Sequence, residues 1–156
     1  MTHDQLAITP LEEWLARTIR DPESAFRDWR EGRPAVLALG SLFDAVKLPQ
    51  RLVHAAASIP EHSAVAAVLG PLAGPVIWSP PGWYLALVPA GTADTWDSPH
   101  AAALGAGNYL PVPRLDRTAP EGIHWTVPLN GARTLCSPPA VVQLLHAGRD
   151  RQGLSR

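Results

Sequence analysis

The chain has 156 residues, 46% hydrophobic and 17% charged, a composition that supports one globular core and excludes a disordered chain. Its formal net charge is −1, which excludes the strongly basic balance of a protein that grips DNA through many phosphates. One cysteine, Cys136, excludes an internal disulfide and a cysteine-rich zinc site.

The amino terminus, Met1 to Gln5, shows no basic stretch followed by a long apolar run, so no signal peptide is expected. Thr9-Pro10-Leu11-Glu12 predicts a helix start, with Thr9 as cap, Pro10 in the first turn and Glu12 closing a capping box. Leu11, Trp14, Leu15, Thr18 and Ile19 then repeat at helical spacing. Asp21-Pro22-Glu23 opens a second short helix that carries Phe26 and Trp29 and ends near Gly32. Arg17, Arg20, Arg27, Arg30 and Arg33 lie among Glu12, Glu13, Asp21, Glu23, Asp28 and Glu31. Mixed charge of that kind reads as a solvated face rather than a phosphate-binding one.

The apolar runs 34–40 and 41–46, broken by Gly40, predict buried strands that form a hairpin. Pro49 opens a helix with Leu52, Val53 and Ala56 inward, and Pro60 opens another with Ala64, Val65, Val68 and Leu69. Strands follow at 75–79 and 83–88, joined by a tight Pro80-Pro81-Gly82 turn. Residues 91–107 read as a loop with a short helix at the Ala-rich end. Strands are predicted at 108–112 and 123–127, with prolines that favour edge or strand-end positions. Ser137-Pro138-Pro139 launches the last helix, through Val141, Val142, Leu144 and Leu145, with a stop at Gly148. The organisation expected is an N-terminal helical segment, 1–33, packed on a domain at 34–148, then a polar tail, 149–156. The fold class is α/β or α+β, a central mixed sheet with flanking helices.

The apolar stretches contain Gly and Pro and fall well short of the roughly 20 residues of a membrane span, so no membrane partner is expected and the cytoplasm is the expected setting. Twelve arginines against one lysine, Lys47, with abundant Ala, Gly and Pro, point to a high-GC bacterial genome. No phosphate-binding Gly-rich loop, dinucleotide fingerprint, His-Glu-x-x-His or nucleophile elbow is present. The six histidines (His3, His54, His62, His100, His124, His146) show no metal-ligand spacing. Cys136 with His124 and Asp116 would make a nucleophilic site only if the fold assembled them, and a cysteine before a Pro-initiated helix is more often a packing residue. Among the six tryptophans, Trp14 and Trp29 read as core, whereas Trp83 and Trp96 are expected to be partly exposed.

Four stretches in order, Ala35–Val46, Gly74–Gly91, Leu104–Pro113 and Glu121–Trp125, resemble the bifunctional DNA primase/polymerase-like domains common in actinobacteria, relatives of the archaeo-eukaryotic primases. In that family two acids one residue apart on a strand hold divalent metal, a histidine meets the incoming triphosphate, and a third acid precedes a Gly-Tyr strand. Asp44 matches the first acid, but Val46 stands at the second, Tyr84 at the histidine and Ala102 near the third acid. A lone carboxylate is a poor holder of two magnesium ions, so Mg²⁺ is implied only if activity is retained, and Asp94, Asp97 and Asp116 are the substitutes available. The resemblance therefore implies a degenerate domain that acts by binding single-stranded nucleic acid or a nucleotide, in a cleft lined by Asp44, Trp78, Trp83, Tyr84 and Tyr109. The alternatives are a protein-interaction or regulatory subunit with no nucleotide role, an active nucleotidyltransferase, and an enzyme built on Cys136.

Overall fold

The Thr9 hydroxyl accepts from the Glu12 amide at 3.1 Å and the Glu12 carboxylate accepts from the Thr9 amide at 3.0 Å, so the capping box closes as the sequence dictates. It starts helix α1, Pro10–Ala16, in a computed structural model that describes residues 8–59 and 61–154. The helix stops before Thr18 and Ile19, earlier than the apolar spacing predicts; the Thr18 hydroxyl instead donates back to the Leu15 carbonyl, closing the turn. Helix α2, Pro22–Arg30, buries Ala25, Phe26 and Trp29.

Strand β1, Ala35–Ala38, and strand β2, Phe43–Pro49, lie where expected but do not pair with each other. The reason lies at Gly40, whose φ of +103° and close approach to the Ala106 backbone leave no room for a side chain. This left-handed turn carries the chain out of one sheet into another. After β2 come helix α3, Gln50–Ala57, and helix α4, His62–Leu69. Pro60, expected to open α4, lies outside the described residues, as does His3. Strand β3, Val76–Ser79, and strand β4, Trp83–Pro89, flank a turn containing the cis Pro80-Pro81 bond.

In the 91–107 segment the expectation is reversed: the short helix α5, Thr92–Thr95, comes first and the Ala-rich end forms strand β5, Ala102–Leu104. Edge pairing with β2 recruits those alanines, overriding their helical propensity. Strand β6 is Tyr109–Val112 and strand β7 is His124–Val127. Helix α6, Pro138–Leu154, runs through Gly148 into the segment expected to be a polar tail, of which residues 155 and 156 lie outside the described part. Gly148 is there for contact, not termination: a Cβ on it would collide with the Leu52 carbonyl of α3.

The class is α+β. A five-stranded sheet in the order β5-β2-β4-β3-β7 sits at the centre, and β1 with β6 forms a separate ribbon. Where a mixed sheet was expected, every pairing is antiparallel. Side chains alternate across the sheet, so each face has its own core. One face carries Phe43, Ala45, Ile77, Leu85, Leu87 and Trp125, covered by α1, α2 and the ribbon. The other carries Val46, Leu48, Val76, Ala86 and Val88, covered by α3, α4 and α6. The N-terminal segment is thus part of the first core, with Trp14 5.8 Å from Phe43 between ring centroids. Two buried indoles keep their N–H satisfied: Trp29 donates to the Val112 carbonyl at 3.0 Å, and Trp125 to the Pro113 and Arg114 carbonyls at 3.1 Å each. Among the described residues no single helix is long and apolar enough to cross a membrane.

A histidine and aromatic pocket as the candidate functional site

Pairing sets the floor of the pocket. Tyr84 of β4 lies opposite Trp78 of β3, and Trp78 lies opposite His124 of β7, so the three stand in a row across neighbouring strands on one face. The Trp78 and Tyr84 rings are 4.9 Å apart and tilted by 48°. A β-bulge between Val76 and Ile77 lets Trp125 and Val127 both find partners, leaving Thr126 as the extra residue on the pocket side. Helix α3 contributes Gln50 and His54, four residues apart and therefore on one side of the helix, and α4 contributes His62 from its first position. With Pro120 they enclose about 160 Å³.

Among the described residues no lysine, arginine or carboxylate lines this space. His54 Nε2 and the Tyr84 hydroxyl are 2.9 Å apart. Burial pushes the His54 imidazolium pKa down and the Tyr84 phenol pKa up, so both are held neutral near pH 7. His124 is buried, and its Nδ1 sits 2.8 Å from the Gly122 carbonyl oxygen. A carbonyl only accepts, so Nδ1 carries the hydrogen, and in that tautomer Nε2 presents a lone pair. The His62 ring lies 5.9 Å from that of His124. The Thr126 hydroxyl is buried and has no hydrogen-bond partner among the described residues. A buried donor–acceptor of this kind has a standing cost that a ligand or water would relieve.

The structure joins only two of the five residues expected to share one cleft. Trp78 and Tyr84 meet in the pocket. Trp83 is next to Tyr84 along an extended strand and so faces the other side of the sheet, where Lys47 Nζ lies 4.2 Å from its ring centre. Tyr109 is on the outer face of the ribbon, 64% exposed. Asp44 shares the pocket's face but pairs with Val88, at the opposite end of β4 from Tyr84. Its Oδ2 accepts from the amides of Gly91 at 3.1 Å and Ala93 at 2.9 Å, so this carboxylate pins the start of α5. The loop does fold back over Asp44, but it brings backbone amides, with Asp94 and Asp97 left exposed. No group of three His, Cys, Asp or Glu side chains among the described residues is arranged to hold a metal.

The Cys136 site does not assemble. The thiol is fully buried, lies 3.4 Å from the Pro75 carbonyl, and burial pushes its pKa up to about 12. Asp116 is instead engaged at the surface with Arg114, at 2.6 Å. Trp83 and Trp96 are both partly exposed, as expected. Sequence reasoning missed the grouping of Gln50, His54, His62, His124 and Thr126. Two local signals were available: Gln50 and His54 one helical turn apart, and His124 two residues before Thr126 on a strand. A scan against protein-family models, a search of curated proteins and a search of solved structures found no match to this chain.

Proposed function

We propose that this domain is a non-catalytic binding module whose pocket receives an unstacked base, as part of a single strand of nucleic acid or of a nucleotide. The observation that carries the reading is the Trp78–Tyr84 pair, an aromatic surface at the floor of a pocket whose lining also holds hydrogen-bonding side chains. Bases stack on such surfaces and their edges need donors and acceptors, which Gln50, Thr126 and His124 offer. The resemblance to primase/polymerase-like domains supports the same ligand class, with Tyr84 standing where that family meets the triphosphate. Among the described residues no lysine or arginine lines the pocket to meet phosphates, so the base carries the recognition.

Anisotropy of a labelled single-stranded oligonucleotide, titrated at low and near-physiological salt, tests this. The reading expects saturable binding with a shallow slope of log affinity against log salt, because base contacts release no counterions. Absence of binding at both salts would remove it.

One observation favours a second reading, a protein-interaction domain. Val36 and Tyr109 stand on the same outward face of the β1–β6 ribbon, 57% and 64% exposed. Replacement of both by serine with oligonucleotide affinity unchanged, but with loss of a partner bound by the intact chain, would select that reading.

A further inference from the structure

We infer that the pocket selects the 6-amino group of adenine or the 4-amino group of cytosine over their oxo counterparts, with His124 Nε2 as the acceptor that reads the amino hydrogen. The inference rests on the base-binding reading above and specifies its ligand.

The pocket's polar groups differ in whether their polarity can change. A threonine hydroxyl rotates and both donates and accepts, so Thr126 accommodates either kind of base edge. A glutamine amide presents a donor and an acceptor and can turn over, so Gln50 is equally permissive. His54 is already engaged with the Tyr84 hydroxyl. His62 is exposed, so no burial fixes its ring. His124 is different: the residue is 4% exposed and its Nδ1–H is committed to the Gly122 carbonyl. Turning the ring over would break that bond inside the protein, which fixes the orientation. Nε2 therefore stays a lone pair, and it makes no hydrogen bond to another described residue.

A fixed acceptor in a largely buried ring discriminates sharply. An amino group of adenine or cytosine donates to it. A carbonyl at the same position, as in hypoxanthine or uracil, sets lone pair against lone pair and leaves both unsatisfied. Sites of this kind reject the mismatched ligand more strongly than apolar pockets reject a change of size.

The test is calorimetric titration of the intact chain with free nucleosides at pH 8. Adenosine is expected to bind roughly tenfold or more tightly than inosine, and cytidine than uridine. Purine riboside lacks the amino group without adding an oxygen, and should bind roughly fivefold or more weakly than adenosine. In His124→Asn the side-chain amide keeps a donor near the Nδ1 position and nothing replaces Nε2, so the adenosine preference should collapse while inosine affinity holds. The ligand series on the unmodified protein decides the matter even if that variant does not fold. Equal binding of all the nucleosides would overturn the selection and leave base binding standing. No binding by any nucleoside would overturn the selection, and absence of oligonucleotide binding as well would overturn base binding with it.

Discussion

Trp83 and Tyr84 are adjacent in β4 and face opposite sides of the central sheet, one ring beneath Lys47 and the other against Trp78. Substitutions at the two faces should therefore separate. Trp78→Ala removes half of the stacking surface and is expected to weaken oligonucleotide binding about five- to 150-fold, the range for loss of one base–aromatic stack. Trp83→Ala is expected to leave affinity within about twofold, since it alters only the far face. Anisotropy titration of both variants, with urea unfolding to confirm that each is folded, checks the pair.

The pH dependence of stability follows from His54. Burial holds its folded pKa below the ordinary 6.5. Between the folded value and 6.5 the unfolded chain binds the extra proton, so stability contributed by neutral His54 is complete above 6.5 and is lost as pH falls through that window. Urea midpoints measured from pH 8 to pH 5 should fall for the wild-type chain. In His54→Gln, which still offers the Tyr84 hydroxyl a partner, the fall should be smaller.

Cys136 should be inert while the protein is folded. A thiol with its pKa pushed up to about 12 holds about a thousandfold or more less thiolate at neutral pH than an ordinary one, and the side chain is fully buried besides. Alkylation with iodoacetamide, followed by mass, should be negligible in buffer and rapid in denaturing urea. Rapid alkylation in buffer would mean that the core beneath α6 opens far more readily than its packing implies.

Gly148→Ala sets two effects against each other. Alanine gains up to about 1 kcal/mol of helix propensity in α6. Its Cβ would overlap the Leu52 carbonyl, which is backbone and unable to swing away. Overpacking of that kind costs about 1–3 kcal/mol, so net destabilisation is expected in a chemical denaturation curve.

Much of the fold was legible in the residues. The capping box at Thr9 and Glu12, the proline-initiated helices and the apolar runs at 34–40, 75–79 and 83–88 all carried local signals, and strands form within or close to those runs. What local pattern did not disclose was partnership. Nothing near Gly40 says that β1 leaves β2 to pair with β6, 71 or more residues away in the ladder's closest register, Ala38 to Tyr109. The same gap hid Gly148, whose signal as a helix stop is identical to its signal as a point of close helix contact. The site was half legible for the same reason. Trp78 and Tyr84 stood out as aromatic residues near a turn, whereas Trp83 was misplaced beside them although the period-two alternation of a strand by itself puts neighbouring residues on opposite faces. The histidines come from α3, α4 and β7, and only the packing of those elements on one sheet face brings them together.

The most direct test of the base-binding pocket is to locate where a ligand lands. The ¹⁵N-labelled chain is titrated with a short unlabelled single strand, following backbone amides and the six indole N–H signals. The pocket account predicts shifts at the Trp78 indole and at the amides of Gln50, Tyr84, His124 and Thr126, with the Trp83 indole and Tyr109 amide unmoved. Shifts centred on Trp83 and Lys47, or on the Val36 and Tyr109 ribbon, would contradict it.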